Sequence, residues 1–327
     1  MTVTAAPPTL APGTPRVRRS SSLRQQAVFL AVIVLMFVGA LLFQPQMRNS
    51  NYLMVQLATY SAVLIMALGQ TFVVVQVGFD LSTGAVQGFV GGLVYLMVGW
   101  GMADGPVILL ALLVAAAIGF AVHGLLIAKA KMNFFIVTLA SFTILPSLLR
   151  VILDGSSKPV FSPALDWLAN GTTLGIRNPV LVAAVVFALL WVLLNRTVFG
   201  RNVYAVGSNR EAARLAGVRV DRVTMACYGV CALCAGIAGL LLLGSLGAAD
   251  PSAGLGNEFF ALTAVLLGGT RFSGGQGSLA GTLLGLVFLV VLSNILLLGG
   301  MPQFWIGAVQ GVVLLAAVGI DRARRDT

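Results

Sequence analysis

The stretch from Asn195 to Val223, NRTVFGRNVYAVGSNREAARLAGVRVDRV, is the one polar island in an otherwise apolar chain. It carries Arg196, Arg201, Arg210, Arg214, Arg219 and Arg222 against only Glu211 and Asp221, and a long apolar run lies on either side. If those runs span a bilayer, a short loop this rich in arginine stays on the cytoplasmic face, where Lys and Arg are retained. Inside it, Glu211 to Leu215 reads as a helical turn: Ala212 and Ala213 are good helix formers, and Glu211 reaches Arg214 at i,i+3. Asn209 is placed to cap the turn and Gly217 to end it. The expectation is a short amphipathic helix held under a membrane, within a cytoplasmic loop over 196–222.

Composition makes the membrane reading the natural one. Hydrophobic residues are 58% of the 327 and charged residues 9%, against about 25% charged in a soluble domain. Mean hydropathy is +0.99. Only helices and closed barrels satisfy their backbone in lipid, and a barrel shows short alternating strands where this chain has long continuous apolar runs. The fold class is therefore an all-α polytopic membrane protein surrounded by membrane lipid. The net charge of +10 suggests a nucleic-acid partner first, but the basic residues lie in loops between apolar runs, which makes them topology signals instead.

At about 20 apolar residues per span, helices are predicted near 26–43, 53–75, 85–100, 106–128, 134–152, 179–195, 223–244, 257–269, 279–298 and 303–320. The pieces around 76–92 and 257–285 could be re-entrant. Residues 1–25, with Pro7, Pro8, Pro12, Pro15, Arg16, Arg18, Arg19 and Arg24, read as a disordered basic cytoplasmic tail. No A-x-A-like cleavage site follows the Ala27 to Phe43 run, so the first span is expected to stay uncleaved. With both termini cytoplasmic, only Arg48, Arg150, Lys158 and Arg177 of the 20 basic residues fall at the outer side. That leaves 26–321 as the membrane domain and 322–327 as a second cytoplasmic tail. Arg150 is expected to snorkel from the outer end of its helix.

Two Gly-rich interruptions occupy comparable places in the two halves: Gly78-Phe79-Asp80-Leu81-Ser82-Thr83-Gly84, and Gly268-Gly269-Thr270 through Arg271 to Gly274-Gly275-Gln276-Gly277-Ser278. Broken segments at matching positions point to an internal repeat and to a pathway between its halves. Ordinary loops with small-residue helix packing are the alternative. The residues placed on such a pathway are Asp80, Ser82, Gly84, Gly268, Gly269, Thr270, Gly274 and Gly275. An intramembrane carboxylate is a functional candidate by default. Asp80 reads more simply as a cap on the following helix, and Glu258 as the start of the helix beginning at Phe259.

His123 has no carboxylate close in sequence and is expected as a packed, neutral imidazole. Cys227, Cys231 and Cys234, at i, i+4 and i+7 on one predicted span, read as small apolar core residues rather than a metal site. No Walker lysine motif, H-E-x-x-H or nucleophile elbow appears, and the run at 268–277 lacks the G-K-[ST] ending of a phosphate loop. No catalytic residue, metal or cofactor is assigned. Any ATP-driven work would need its engine on another chain.

Four stretches resemble the permease subunits of bacterial ABC importers for ribose, xylose and other monosaccharides, a family related to the branched-chain amino acid permeases. They are Gly78 to Gly84 with Asp80-Leu81-Ser82; Gly200 to Gly217 with its Glu211-Ala212-Ala213 core; Leu267-Gly268-Gly269-Thr270 to Ser278; and Phe304-Trp305 through Gly311 to Asp321. The likeness runs from about Asn51 to Asp321. It departs after Phe135-Ile136-Val137-Thr138-Leu139, where Pro146-Ser147 stands in place of the Arg-Gly common in relatives, and that bears on substrate class.

The resemblance implies a permease in the bacterial plasma (inner) membrane. It would pair with a second copy as homodimer or heterodimer, with cytoplasmic ATP-binding subunits below and a periplasmic sugar-binding protein above. Arg201, Gly207, Asn209, Arg210, Glu211, Ala212, Ala213, Arg214, Leu215 and Gly217 then become the segment on which the ATPases press, its charges suited to contacts in a cleft. A solvated basic linker that only sets topology is the alternative for this loop. For the whole chain the alternatives are a permease for a polyol, nucleoside or branched-chain amino acid, or a secondary transporter using Asp80 or Glu258.

Overall fold

The computed structural model describes residues 20–323. Its helices are α1 (Ser20–Phe43), α2 (Ser50–Val75), α3 (Thr83–Gly99), α4 (Asp104–Lys129), α5 (Phe134–Ile152), α6 (Pro163–Asn170), α7 (Asn178–Arg196), α8 (Val198–Ser208), α9 (Arg210–Leu215), α10 (Val220–Leu246), α11 (Asn257–Leu267), α12 (Leu279–Leu298) and α13 (Gln303–Ala323). Each of the expected spans falls on one of them. By length and composition α2, α4, α5, α7, α10 and α12 can cross a membrane; α3, α11 and the apolar parts of α1 and α13 are shorter. Helix starts are set by polar caps. The side chains of Asn49, Asn133, Ser162 and Ser278 accept backbone N–H groups of α2, α5, α6 and α12, which would otherwise be left without partners.

Two helices form the centre. Most of α2 and α10 is buried, whereas α4, α5 and α7 turn most of their length outward, showing Leu109, Val151, Val185 and Leu189 to the surroundings. Lipid is as apolar as leucine, so burial alone does not hold such a bundle; close backbone approach does. Gly69 of α2 lies on Cys231 and Cys234 of α10, and Gly119 and Gly124 of α4 lie on Tyr228 and Met225. A Cβ at Gly124 would come within 3.0 Å of Met225. The Thr71 and Thr282 hydroxyls, 2.8 Å apart, tie α2 to α12; such a bond between membrane helices is worth about 0.6 kcal/mol. The lower part of α4 winds as π-helix over Ile118–His123 and Leu125–Lys129, widening the turn that carries His123.

The end away from the arginine-rich segment is laced by small elements that apolar periodicity did not announce. Strands β1 (Lys158–Pro159) and β4 (Ala248–Ala249) pair antiparallel, and β2 (Thr172–Thr173) pairs with β3 (Ile176–Arg177). The Asp104 carboxylate accepts the Ala164 N–H at 3.0 Å, and Asn170 donates to the Gly244 carbonyl at 3.0 Å. Pro146 sits buried inside α5 without ending it, and the Ser147 hydroxyl bonds back to the Thr143 carbonyl at 2.8 Å. Arg150 is exposed near the end of α5.

Two boundaries are corrected. The first helix starts at Ser20 rather than 26, because Leu23 to Ala27 are helix formers continuous with the apolar run; the rest of the expected tail, and the end of the second tail, lie outside the described residues. Residues 198–208, taken as part of a loop, form α8, an amphipathic helix of 11 residues capped by Thr197.

Candidate functional site

The arginine-rich segment is two helices and a hinge. The Thr197 hydroxyl accepts the Gly200 N–H at 3.2 Å and starts α8. Asn209 ends α8 and starts α9, its Oδ1 accepting the Ala212 N–H at 2.9 Å. Gly217, at φ +83°, closes α9, as the Gly217 N–H bonds the Arg214 carbonyl and the Val218 N–H bonds that of Ala213. Glu211 and Arg214 stand 3.7 Å apart, both largely exposed. At that exposure such a pair adds little stability, leaving Glu211, Arg214 and the 82% exposed Leu215 free to face another surface. Arg201 is exposed as well. The inner side of the segment is fixed: Ala213 is buried, and the Arg210 guanidinium donates to the Thr224 hydroxyl at 3.2 Å.

The segment, the end of α2 and the second Gly-rich break meet at one point. α2 ends at Val75, and the Val75 carbonyl, which has no partner in its own helix, accepts the Gly275 N–H of the second break at 2.8 Å. Gly207 of α8 lies directly against that bond: a Cβ there would fall 2.7 Å from the Gly275 nitrogen and 2.9 Å from the Val75 carbonyl carbon. Gly274 packs on Val77 and Gly207, and Gly275 on Ser208. The Tyr204 hydroxyl donates to the Gly277 carbonyl at 2.9 Å; burial pushes this phenol up, keeping it a donor. Phe79 and Phe272, one from each break, lie 5.4 Å apart. Val77 holds φ +71°, a left-handed backbone costly for a β-branched residue. The strain sits where the chain must turn from α2 toward α3.

The remaining break residues separate into distinct settings. Gly268 and Gly269 end α11, with Gly269 at φ +85°. Gly268 packs on Gly281 of α12, and Thr270 is buried against Gly277. Asp80 and Ser82 are buried deep in the bundle, 1% and 0% exposed. The Asp80 carboxylate accepts the backbone N–H of Ser82 at 2.8 Å and its hydroxyl at 2.6 Å, turning the chain ahead of α3 rather than capping the first turn itself. Its second oxygen lies 3.4 Å from His123 Nδ1. His123 Nε2 shares a 2.8 Å hydrogen bond with the Ser141 hydroxyl. The histidine is packed, as its sequence setting implied, but a carboxylate faces it, brought in by the fold from the first break.

Gly84 meets Glu258 farther along α3. Glu258 lies in the first turn of α11 and accepts the Gly256 N–H at 3.0 Å, so its role at a helix start is as read, with the helix beginning two residues earlier at Asn257. Gln87 and Asn257 bond across the same contact at 2.9 Å. Residue-type reasoning missed Tyr204, Gln87 and Asn257; the Tyr204-to-Gly207 spacing on the newly seen α8 is the signal that would have raised the first. Cys227, Cys231 and Cys234 are free and buried in the α2 and α10 contact, where the Cys231 thiol reaches Gln70 Oε1 at 3.2 Å.

Residues 52–318 match the family model described as branched-chain amino acid transport system / permease component. The chain is 36% identical over 309 residues to the ribose import permease protein RbsC of Escherichia coli (strain K12), covering 93% of this chain and 95% of that one. It is 36% identical over 301 residues to the protein of that name from Bacillus subtilis (strain 168), at 91% of each. The xylose transport system permease protein XylH of E. coli (strain K12) is 30% identical over 342 residues, covering 85% and 86%. No solved structure matches the chain.

Proposed function

Because this chain belongs to the family of branched-chain amino acid transport permease components, we propose that it forms the membrane route of an ATP-driven monosaccharide importer, with a ribose- or xylose-like cargo. It is a multi-pass protein of the inner membrane and a transporter component rather than an enzyme. The observation that carries the cargo class is the similarity to ribose import permeases over nearly the full length of both chains. In this reading the chain crosses the bilayer ten times with both ends in the cytoplasm, as the placement of its arginines favours. Residues 26–321 are the membrane domain, and the two breaks are the matched interruptions of an internal repeat. A second permease copy, cytoplasmic ATP-binding subunits and a periplasmic sugar-binding protein complete the system.

The geometry supports a mechanism for coupling. The exposed outer side of α9, with Glu211, Arg214 and Leu215, offers charge and an apolar tip to an ATPase cleft. A push there passes through the Asn209 hinge to α8, whose inner side rests on the end of α2 and on the second Gly-rich break at Gly207 and Tyr204, with the first break held against the second through Phe79 and Phe272. Moving those breaks shifts α2, α3, α11 and α12 together, which is how one displacement would trade outward for inward access. Gly84, Gly268, Gly269, Thr270, Gly274 and Gly275 are proposed as parts of the moving wall, with Asp80 and Ser82 as the buried turn that holds α3 to it.

Uptake of labelled ribose, xylose, galactose, a polyol and leucine tests this, comparing cells lacking the chain with cells complemented by it. Loss of one sugar's ATP-dependent uptake, restored by complementation, is the expected result. Restoration of leucine alone would move the cargo to the one in the family's description. Uptake that survives ATP depletion but fails with an uncoupler would instead favour a secondary transporter built on Asp80 or Glu258.

A further inference from the structure

We propose that the basic groove between α4, α8 and the start of α10 is a binding site for an anionic phospholipid. The groove is open along one side and offers about 800 Å³, within the 300–1,000 Å³ typical of ligand sites. Lys129 closes α4 on one side of it, Arg219 and Arg222 stand on the other, and Phe120, Phe199 and Met225 supply apolar wall. Among the described residues no carboxylate lines it. Among the described residues Lys129, Arg219 and Arg222 make no ion pair. The neighbouring acid, Asp221, is taken by Lys131 at 2.8 Å. Three cations therefore line one groove with no acidic partner among the described residues.

The shape of the chemistry selects the occupant. Arginine forks suit phosphate oxygens, and Phe120, 47% exposed, extends the groove along the outward side of α4, which carries other exposed apolar residues. A soluble anion would use the cations and leave the wall wet. A zwitterionic lipid would use the wall and bring no net charge to three cations. An anionic phospholipid satisfies both, its headgroup at Arg219, Arg222 and Lys129 and its acyl chains against the aromatic wall. Basic pockets between membrane helices on the cytoplasmic side hold such headgroups, and this groove lies at the same end as the arginine-rich segment. A lipid there would bear on the junction through which α9 continues into α10.

The test uses the full chain purified in detergent and native mass spectrometry with phosphatidylglycerol or phosphatidylcholine added at equal concentration. The wild-type chain is expected to retain phosphatidylglycerol in preference. The Arg219→Gln/Arg222→Gln variant is expected to retain it about thirtyfold less, at roughly fivefold per cation removed from a surface site. Arg196→Gln/Arg271→Gln, which removes the same charge elsewhere, is expected to behave as wild type. Equal retention of both lipids by the wild-type chain, or equal loss in both double variants, overturns the proposal. So does a variant that keeps the lipid but fails to co-purify with its ATP-binding partner, which would assign the groove to that protein. Should the double variant elute as aggregate, Lys129→Gln and Arg222→Gln singly carry the same comparison.

Discussion

Replacing Gly207 puts a side chain into the joint where three segments meet. A Cβ at this position lies 2.7 Å from the Gly275 nitrogen and 2.9 Å from the Val75 carbonyl carbon, whereas carbon contacts settle near 3.5 Å. The Val75 carbonyl oxygen lies closer still, so something must open by more than about 1 Å. If α8 retreats, it leaves the end of α2 and the second break. If it stays, the 2.8 Å bond between Gly275 and Val75 passes beyond hydrogen-bonding range. Overpacking costs about 1–3 kcal/mol, and a buried pair left unbonded about 1–3 kcal/mol more. A penalty of about 2 kcal/mol on a step of the transport cycle is roughly thirtyfold in rate.

Gly207→Val is therefore expected to lower uptake of the transported sugar at least tenfold at equal membrane abundance, while ATP hydrolysis by the assembled complex continues without stimulation by loaded binding protein. Tyr204→Phe tests the same joint without adding volume. It removes the hydroxyl bonded to Gly277 and is expected to slow uptake about fivefold, the effect of roughly 1 kcal/mol. Wild-type uptake in Gly207→Val, with the protein abundant and ATPase stimulation intact, would refute the reasoning, since no side chain fits unless the joint is unimportant or absent.

Glu211→Lys reverses the one acid on the outer side of α9 and is expected to lower transport without lowering membrane insertion; unchanged uptake removes the coupling role. Gly217→Ala meets nothing within 4 Å but must hold φ +83°, a cost of about 1 kcal/mol, so Gly217→Asn should be tolerated better than Gly217→Ala in a thermal-stability comparison. Equal melting temperatures would contradict that left-handed turn. The buried Asp80 and His123 should show coupling above about 1 kcal/mol in a stability cycle of Asp80→Ala and His123→Leu, because either single change strands the other group; additive losses would show that they do not interact. Cys227, Cys231 and Cys234 should resist a maleimide in the native protein and react after denaturation, and labelling of the folded chain would contradict their burial.

The long helices were legible because membrane spans announce themselves by length and apolarity, and the α9 turn because Asn209, Glu211, Arg214 and Gly217 carry cap, pair and stop in the right order. α8 was not legible. Its glycines and β-branched valines argue against a helix locally, and what forms it is the burial of Val203, Val206 and Gly207 against the rest of the molecule. The breaks could be seen as breaks, but nothing in their residues says that Val75 and Gly275 bond, since that contact joins distant positions. Asp80 and His123 illustrate the same limit. Each was read by its neighbours in sequence, and their meeting depends on how α4 packs beside the first break.

α10 runs unbroken for 27 residues, a rod of about 40 Å at 1.5 Å per residue. One end grows from the Gly217 turn after α9; the other passes through Gly247 into β4, which is stitched to Lys158 and Pro159. Such a rod is a lever. If its inner end is the fulcrum, a tilt of about five degrees carries the outer end roughly 3.5 Å, and the β1–β4 stitch would hand that swing to the segment between α5 and α6. A small push in the cytoplasm would then arrive at the opposite surface as a larger one, with no chain of side-chain rearrangements in between.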